Sequence, residues 1–290
     1  MNNINISFVI LHYQSIKTTI ECIEYVRQLP SDVLKNIVIV DNASPNKSGE
    51  ELKELYKNEK NVYVLVNKIN EGFARGNNLG YKFSKEQLKS DIVIVMNNDV
   101  MIKQPNFISL LLHEAFKNEV YIIAPDIITP SGNHQNPYRV TSIETKEILY
   151  ILLLNNFNKL AYSIPGLSKL ILHVNNTRPR IRKTSKTKWE NELDEIIPHG
   201  SCVVYTKKWV DNEDFAFLPK TFMYLEEYLL DEYIRKKRYK TKYIPRLKVH
   251  HLEDISTNSV NITSIAKAKF KAKHAAKSTK ELLMMRIFVK

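Results

Sequence analysis

Asp91-Ile92-Val93-Ile94-Val95-Met96-Asn97-Asn98-Asp99-Val100 is the stretch that decides the fold. Its apolar residues run on without alternation, the mark of a strand covered on both faces, and they stop on two amides and a carboxylate. Upstream, the same pattern recurs at Val62–Val66 (VYVLV), at Ile37–Val40 (IVIV, ending in Asp41-Asn42-Ala43-Ser44-Pro45) and at Ile4–Tyr13 (INISFVILHY). Helical periodicity fills the gaps. Thr18–Leu29 has Ile20, Ile23 and Val26 at three-residue spacing and is stopped by Pro30; a polar helix follows at about Gly49–Lys57, and a short one at Phe73–Phe83. Strands alternating with helices imply a parallel sheet with crossover connections, hence an α/β fold. Ligands of such sheets bind beyond the carboxyl ends of the strands, where Asp41, Asn42, Asn97 and Asp99 lie.

Downstream the pattern loosens after Asp126. Residues 131–195 mix polar loops, an apolar helix near Ile148–Leu154 and a basic stretch. Regularity returns at Cys202–Tyr205, in a helix over Glu226–Lys237, and in a strand at Lys242–Ile244 ahead of His250-His251. There is no internal repeat. With 290 residues, 43% hydrophobic and 26% charged, the chain can bury a large core, which excludes disorder as its main state. Seven Gly and 11 Pro exclude collagen-like and low-complexity classes. Two distant cysteines, Cys22 and Cys202, exclude a disulfide framework or a four-thiolate zinc site and fit a reducing cytoplasm. No apolar run reaches the roughly 18–20 residues of a membrane span. The N-terminal MNNINISFVILHYQ lacks a signal peptide's basic region and cleavage site, so a soluble or peripherally attached protein is expected.

The net charge of +12 is localised. Residues 165–190 carry seven Lys/Arg against one Glu, and 261–290 carry eight against one, which leaves the rest of the chain near neutral. Such patches suit a polyanion, an anionic membrane or simply a solvated helix face. Written as a helix, the 261–290 tail puts Lys267, Lys271 and His274 on one polar face beside Ala268, Ala272 and Ala275, and ends in an apolar stretch from Leu282 to Phe288. That is the composition of an interfacial anchor, and equally of a last helix packed on the body.

Three of the seven glycines fall in Asn70–Gly80 (NEGFARGNNLG), which either opens a helix toward an anion or marks close helix–sheet packing. It is not the dinucleotide fingerprint, since both spacing and strand are wrong. Asn97-Asn98-Asp99 offers a partial shell for Mg²⁺ or Mn²⁺, or a plain turn. Glu226-Glu227 at a helix start either complements the dipole or supplies a general base. The His250-His251 pair offers a metal ligand or a structural contact.

The order of these weak signals is more specific than any one. VDNAS, NEGFARGNNLGY, IVIVMNNDV, GSC, FMYLEE and VHHLEDIST, in that sequence, resemble the inverting family 2 glycosyltransferases with the GT-A fold, and among them the rhamnosyltransferase-like members that build bacterial capsule, O-antigen or other surface polysaccharide. The resemblance covers roughly residues 4–258. It implies a GT-A domain over 1–260, with 131–195 an acceptor-side insertion; the basic, helical tail over 261–290 lies outside it. It further implies that Leu11, His12, Tyr13, Asp41 and Asn42 hold the nucleoside of a UDP- or dTDP-sugar, with Gly72, Phe73 and Asn77 shaping the floor. Asn97, Asn98 and Asp99 take the D-x-D position, with Asp99 and His251 at the Mg²⁺ or Mn²⁺ that bridges the donor diphosphate. Glu227, preceded by Glu226, falls on the catalytic base, and Gly200, Ser201 and Tyr224 on the acceptor side. Two departures stand out: Asn97 replaces the first D-x-D carboxylate, and the base is Glu where the family has Asp.

The implied acceptor is a glycan, carried on a lipid at the inner face of the plasma membrane, with the basic patches toward anionic lipid and no nucleic acid involved. Three rivals are weighed, one of them a nucleic-acid-binding protein, suggested by the basic charge and opposed by the near-neutral body and the lack of a recognised nucleic-acid module. A sugar-nucleotide pyrophosphorylase would carry a Gly-rich basic loop after the first strand, where this chain has His12-Tyr13-Gln14-Ser15. A non-catalytic glycan- or polyanion-binding relative is suggested by Asn97 and by the basic charge.

Overall fold

The structure, a computed structural model, describes residues 4–30, 32–117, 119–164, 166–171, 189–253 and 264–288. Most of the basic 165–190 stretch therefore lies outside the described residues.

The first four strands are β1 (Asn5–His12), β2 (Leu34–Asp41), β3 (Val62–Val66) and β4 (Ile92–Asn97), joined by α1 (Ile16–Gln28), α2 (Ser48–Leu55) and α3 (Gly72–Glu86). They pair in parallel in the order β3-β2-β1-β4. Next come β5 (Val100–Met101), α4 (Phe107–Lys117), β6 (Ile122–Ile128), α5 (Thr145–Ala161), β7 (Leu193–Asp194) and β8 (Cys202–Tyr205). The last elements are α6 (Lys207–Asn212), α7 (Glu226–Lys237), β9 (Thr241–His251) and α8 (Ser264–Phe288). β8 enters antiparallel between β4 and β6, β9 runs parallel to β6, and the short β5 and β7 pair antiparallel with β9. Most of the paired length is parallel, in a central sheet flanked by helices, as the strand–helix alternation predicts.

The unbroken apolar strands are explained by burial on both sides. On β1, Ile6, Phe8 and Ile10 pack on one face with Ile23 of α1, Leu52 of α2 and Phe107 of α4. Val9 packs on the other face with Tyr81 of α3, Trp209 of α6 and Leu229 of α7. The glycine window proves to be packing: a Cβ on Gly80 would lie 2.4 Å from Val9 Cγ1 and one on Gly76 2.8 Å from Leu11 Cδ1, so α3 can lie this close to the sheet only with glycine there.

The tail is a helix packed on the body. Ala272, Ala275, Ala276, Leu282 and Met285 are buried, Arg286 pairs with Glu232 of α7, and Asn155 Nδ2 of α5 donates to Thr279 Oγ1 at 3.2 Å. Of the expected polar face, Lys267 and Lys271 are exposed, with Lys271 over the Tyr224 ring, while His274 is half-buried with its ring 4.8 Å from that of Phe222.

Candidate active site

The carboxyl ends of β1 and β2 are knitted together by buried polar side chains. His12 is fully buried, with Nδ1 2.7 Å from Thr19 Oγ1 and Nε2 2.7 Å from Ser48 Oγ, and burial pushes its pKa down to about 4. Asp41 accepts from the amide and hydroxyl of Ser44, whose oxygen in turn accepts the Gln14 amide at 2.8 Å. Asn42 is saturated: Nδ2 donates to Asn70 Oδ1 (3.1 Å) and Gly72 O (3.0 Å), while Oδ1 accepts from Asn67 Nδ2 (3.3 Å) and the Glu71 amide (3.0 Å). His12, Asp41 and Asn42, expected to hold a nucleoside, thus spend their side chains inward and set the shape of the surrounding loops. Leu11 and Tyr13 stay half-buried at the strand end.

The opening amides of α3 are spent too. Gly72 N donates to Asn70 Oδ1 (2.9 Å) and Phe73 N to Phe222 O (2.8 Å), which leaves neither for an anion. Gly72 has φ +81°, and a Cβ there would lie 2.1 Å from Phe222 O, so this residue admits the 222 loop against the helix start. Asn77 Nδ2 donates to Phe73 O (3.0 Å), and its buried Oδ1 has no hydrogen-bond partner.

At the end of β4 the three residues separate. The Asn97 amide donates to Ser201 O (2.9 Å), Asn98 Nδ2 donates to Thr19 Oγ1 (2.9 Å), and Asp99 alone turns to His251. The pairing of Val100 with His251, and a Leu252 amide donated to Asp99 O at 2.9 Å, hold His251 Nε2 3.2 Å from Asp99 Oδ1. Gln135 fixes the tautomer. Its Nε2 donates to Glu253 Oε1 (2.9 Å), so its Oε1 must accept from His251 Nδ1 (2.7 Å), which leaves the neutral ring with a lone pair at Nε2. Asp99 Oδ1 is buried and receives no hydrogen bond. A lone pair facing a donorless carboxylate oxygen repels it unless a proton or cation intervenes, and this O/N pair fits Mg²⁺ or Mn²⁺. Among the described residues no cluster of three or more metal-ligating side chains forms, so the protein would supply two ligands and leave the rest to substrate oxygens and water.

Across from this pair, His199 N donates to Asn136 Oδ1 (2.7 Å), and the Ser201 amide donates to His199 Nδ1 (3.2 Å), which puts the ring proton on Nε2. Burial holds His199 at about 4, so it is neutral at physiological pH. The His199 ring lies 6.1 Å from that of His251 and 5.6 Å from that of Tyr138.

The two acids at the start of α7 are not equivalent. Glu226 turns inward to Thr221 Oγ1 (3.4 Å), while half-buried Glu227 accepts the Gly200 amide at 3.3 Å. Burial raises both carboxyls above the usual range, and the Glu227 charge adds to the rise at Glu226. Tyr224 (φ 75°) and Leu225 (φ 68°) are consecutive left-handed residues, each costing about 1–2 kcal/mol. Contacts on both sides hold them: Phe73 N to Phe222 O, and Ser278 Oγ of α8 to Met223 O (2.9 Å). Strain of this kind concentrates where a side chain must be aimed. The structure therefore gathers Asp99, His251, Gly200, Ser201 and Glu227 in one region and adds His199, Tyr138 and Gln135, which sequence reasoning missed. The signal for His199 was its place directly before Gly200-Ser201 and a buried strand; Gln135 and Tyr138 lie in a patternless polar loop.

The family model described as Glycosyl transferase family 2 matches residues 7–211, from β1 through α6. The chain belongs to glycosyltransferase family 2. Within this family 2 chain, α7 and β9, which carry Glu227 and His251, fall beyond the matched residues. No curated protein matches the chain. Among solved structures it is similar to GalNAc-T7, crystallised with UDP, GalNAc and Mn²⁺, at a TM-score of 0.57 and 14% identity over 88% of this chain and 44% of that one. It is also similar to S. aureus TarS 1–349, at a TM-score of 0.53 and 13% identity over 97% of this chain and 70% of that one. This family 2 chain thus spans less than half of the GalNAc-T7 chain, and at such identities the likeness establishes the GT-A fold.

Proposed function

We propose that the protein moves a sugar from a UDP- or dTDP-linked donor to a hydroxyl of a glycan acceptor, with inversion at the anomeric carbon. The observation that carries this reading is the arrangement of Glu227, raised by burial and aimed by Gly200, in the same region as the donorless Asp99–His251 pair. Glu227 takes the proton of the acceptor hydroxyl as that oxygen forms its bond to the anomeric carbon. The bond from that carbon to the diphosphate oxygen breaks on the opposite face, and the nucleoside diphosphate leaves with the electron pair. Asp99 and His251 would hold Mg²⁺ or Mn²⁺, which when bound neutralises charge on the diphosphate. Gln135 orients His251 from behind, and neutral His199 keeps a competing positive charge out of the pocket.

A lipid-linked acceptor and a role in bacterial surface polysaccharide, such as rhamnose transfer, are supported by the sequence resemblance. The test is nucleoside diphosphate release from a panel of UDP- and dTDP-sugars with glycan acceptors, with the anomeric configuration of the product read by NMR. Release confined to one nucleotide class with an inverted product is expected. A retained configuration would contradict a single displacement with Glu227 as base.

A further inference from the structure

Helix α5 is apolar on two opposite sides, which a helix on a globular surface has no reason to be. One side, with Ile148, Ile151, Leu152 and Asn155, faces the body and α8. On the other side Leu149, Leu153, Phe157 and Leu160 recur at three- and four-residue spacing, with Tyr150 and Leu154 alongside. All six are exposed, Leu153 at 72% and Tyr150 and Leu160 at 65%. A continuous bare stripe of large side chains marks an interaction surface.

Its surroundings name the partner. Antiparallel to α5, helix α8 turns Lys269, Lys273, Lys277 and Lys280 outward, and none of the four has an ion-pair partner among the described residues. A groove of about 380 Å³ between the helices is lined by Asn156 and Lys159 on one side and by Lys277, Lys280 and Met284 on the other, so the basic row borders the apolar stripe. Past the lysines, α8 ends in exposed Met284, Ile287 and Phe288. We infer that the α5–α8 face docks on an anionic lipid bilayer, with the α5 stripe entering the acyl boundary and the α8 lysines meeting lipid phosphates. Apolar insertion bordered by lysine is the pattern that such a surface recognises, and no helix of the described residues is long and apolar enough to cross the bilayer. The attachment has a consequence for the site: α8 also buttresses the 222–225 loop through Phe270, His274 and Ser278, so the docked face and Glu227 share one support.

The inference is independent of the donor reading, because its test reads binding. The full chain is floated with phosphatidylcholine vesicles with and without phosphatidylglycerol, at low and high salt. Flotation is expected only with phosphatidylglycerol, weakened by salt. L153E/F157E alters exposed positions, should keep the wild-type thermal midpoint, and should abolish flotation. K273E/K277E should weaken partitioning roughly twentyfold or more, since each lysine near the surface contributes about fivefold. Equal flotation on neutral vesicles, or on anionic vesicles by both variants, would overturn the inference. So would a wild-type dimer in light scattering that L153E/F157E converts to monomer without any lipid binding, since the stripe would then belong to a second copy.

Discussion

Two neighbouring stretches of the sheet's carboxyl edge carry similar polar residues and use them in opposite ways. Beyond β1 and β2, His12, Asp41, Asn42 and Ser44 are buried and satisfied by one another and by neighbouring amides. Beyond β4 and β9 and just before β8, burial is less fully satisfied: Asp99 Oδ1 receives no hydrogen bond although His251 Nε2 lies 3.2 Å away, and two adjacent carboxyls are raised at the start of α7. A satisfied network holds a shape, whereas an unsatisfied one stores the capacity to bind or to move a proton. On the proposed reading the first group is scaffold and the second chemistry, although burial raises Asp41 too and Asn77 Oδ1 nearby has no hydrogen-bond partner.

The sharpest way to break that division is Glu227→Gln. It should lower turnover by about 10²–10⁴-fold with nucleotide binding unchanged and the thermal midpoint no lower than the wild type's, read by nucleoside diphosphate release. Undiminished turnover would remove Glu227 from the mechanism. Next in size, Gln135→Leu should weaken Mn²⁺ affinity roughly 10–100-fold by freeing the His251 ring, while the fold survives. Titration of Mn²⁺ against the wild type measures this, and equal affinities would mean that the tautomer is set elsewhere.

On the scaffold side, Asn42→Ala strands the Glu71 amide and the Gly72 carbonyl and should cost about 2–3 kcal/mol in denaturant unfolding. A variant as stable as the wild type that no longer binds nucleotide would instead place Asn42 in the site. The smallest effect expected is on pH dependence. A carboxyl raised in the folded state contributes stability that is complete below its ordinary pKa and lost as pH rises through the raised value. Glu226→Gln should therefore raise the thermal midpoint at neutral and alkaline pH, with the gain vanishing in acid. A gain independent of pH would show that Glu226 is not held up by burial.

How much of this was legible in the sequence depended on whether a residue's partner was local. β3 spans Val62–Val66, as read, and β1, β2 and β4 differ from their reading by a few residues at the ends, because strands covered on both faces announce themselves as apolar runs. β6 was hidden by Pro125 and Asp126 in its middle, the latter satisfied only in space by His134 at 2.7 Å. β9 was read as Lys242–Ile244 but runs from Thr241 to His251, its length masked by outward Arg246 and Lys248. At the site, Asp99, Glu227 and His251 stood out as strand-end or helix-start residues. The inward turn of His12 and Asn42, and the Gln135–His251 relay, depend on partners dozens of residues away and left no periodic trace.

The central claim is that the region around Asp99 and His251 is a nucleotide–metal site. The thermal midpoint with UDP and dTDP, with and without Mn²⁺, tests it most directly in the wild type and in Asp99→Ala. A ligand at about a hundred times its dissociation constant stabilises by roughly 2.7 kcal/mol, several degrees for a chain of this size. A rise with one of these nucleotides that Mn²⁺ enlarges and Asp99→Ala abolishes is the predicted result. No rise with either nucleotide, or one that Asp99→Ala leaves intact, would contradict it.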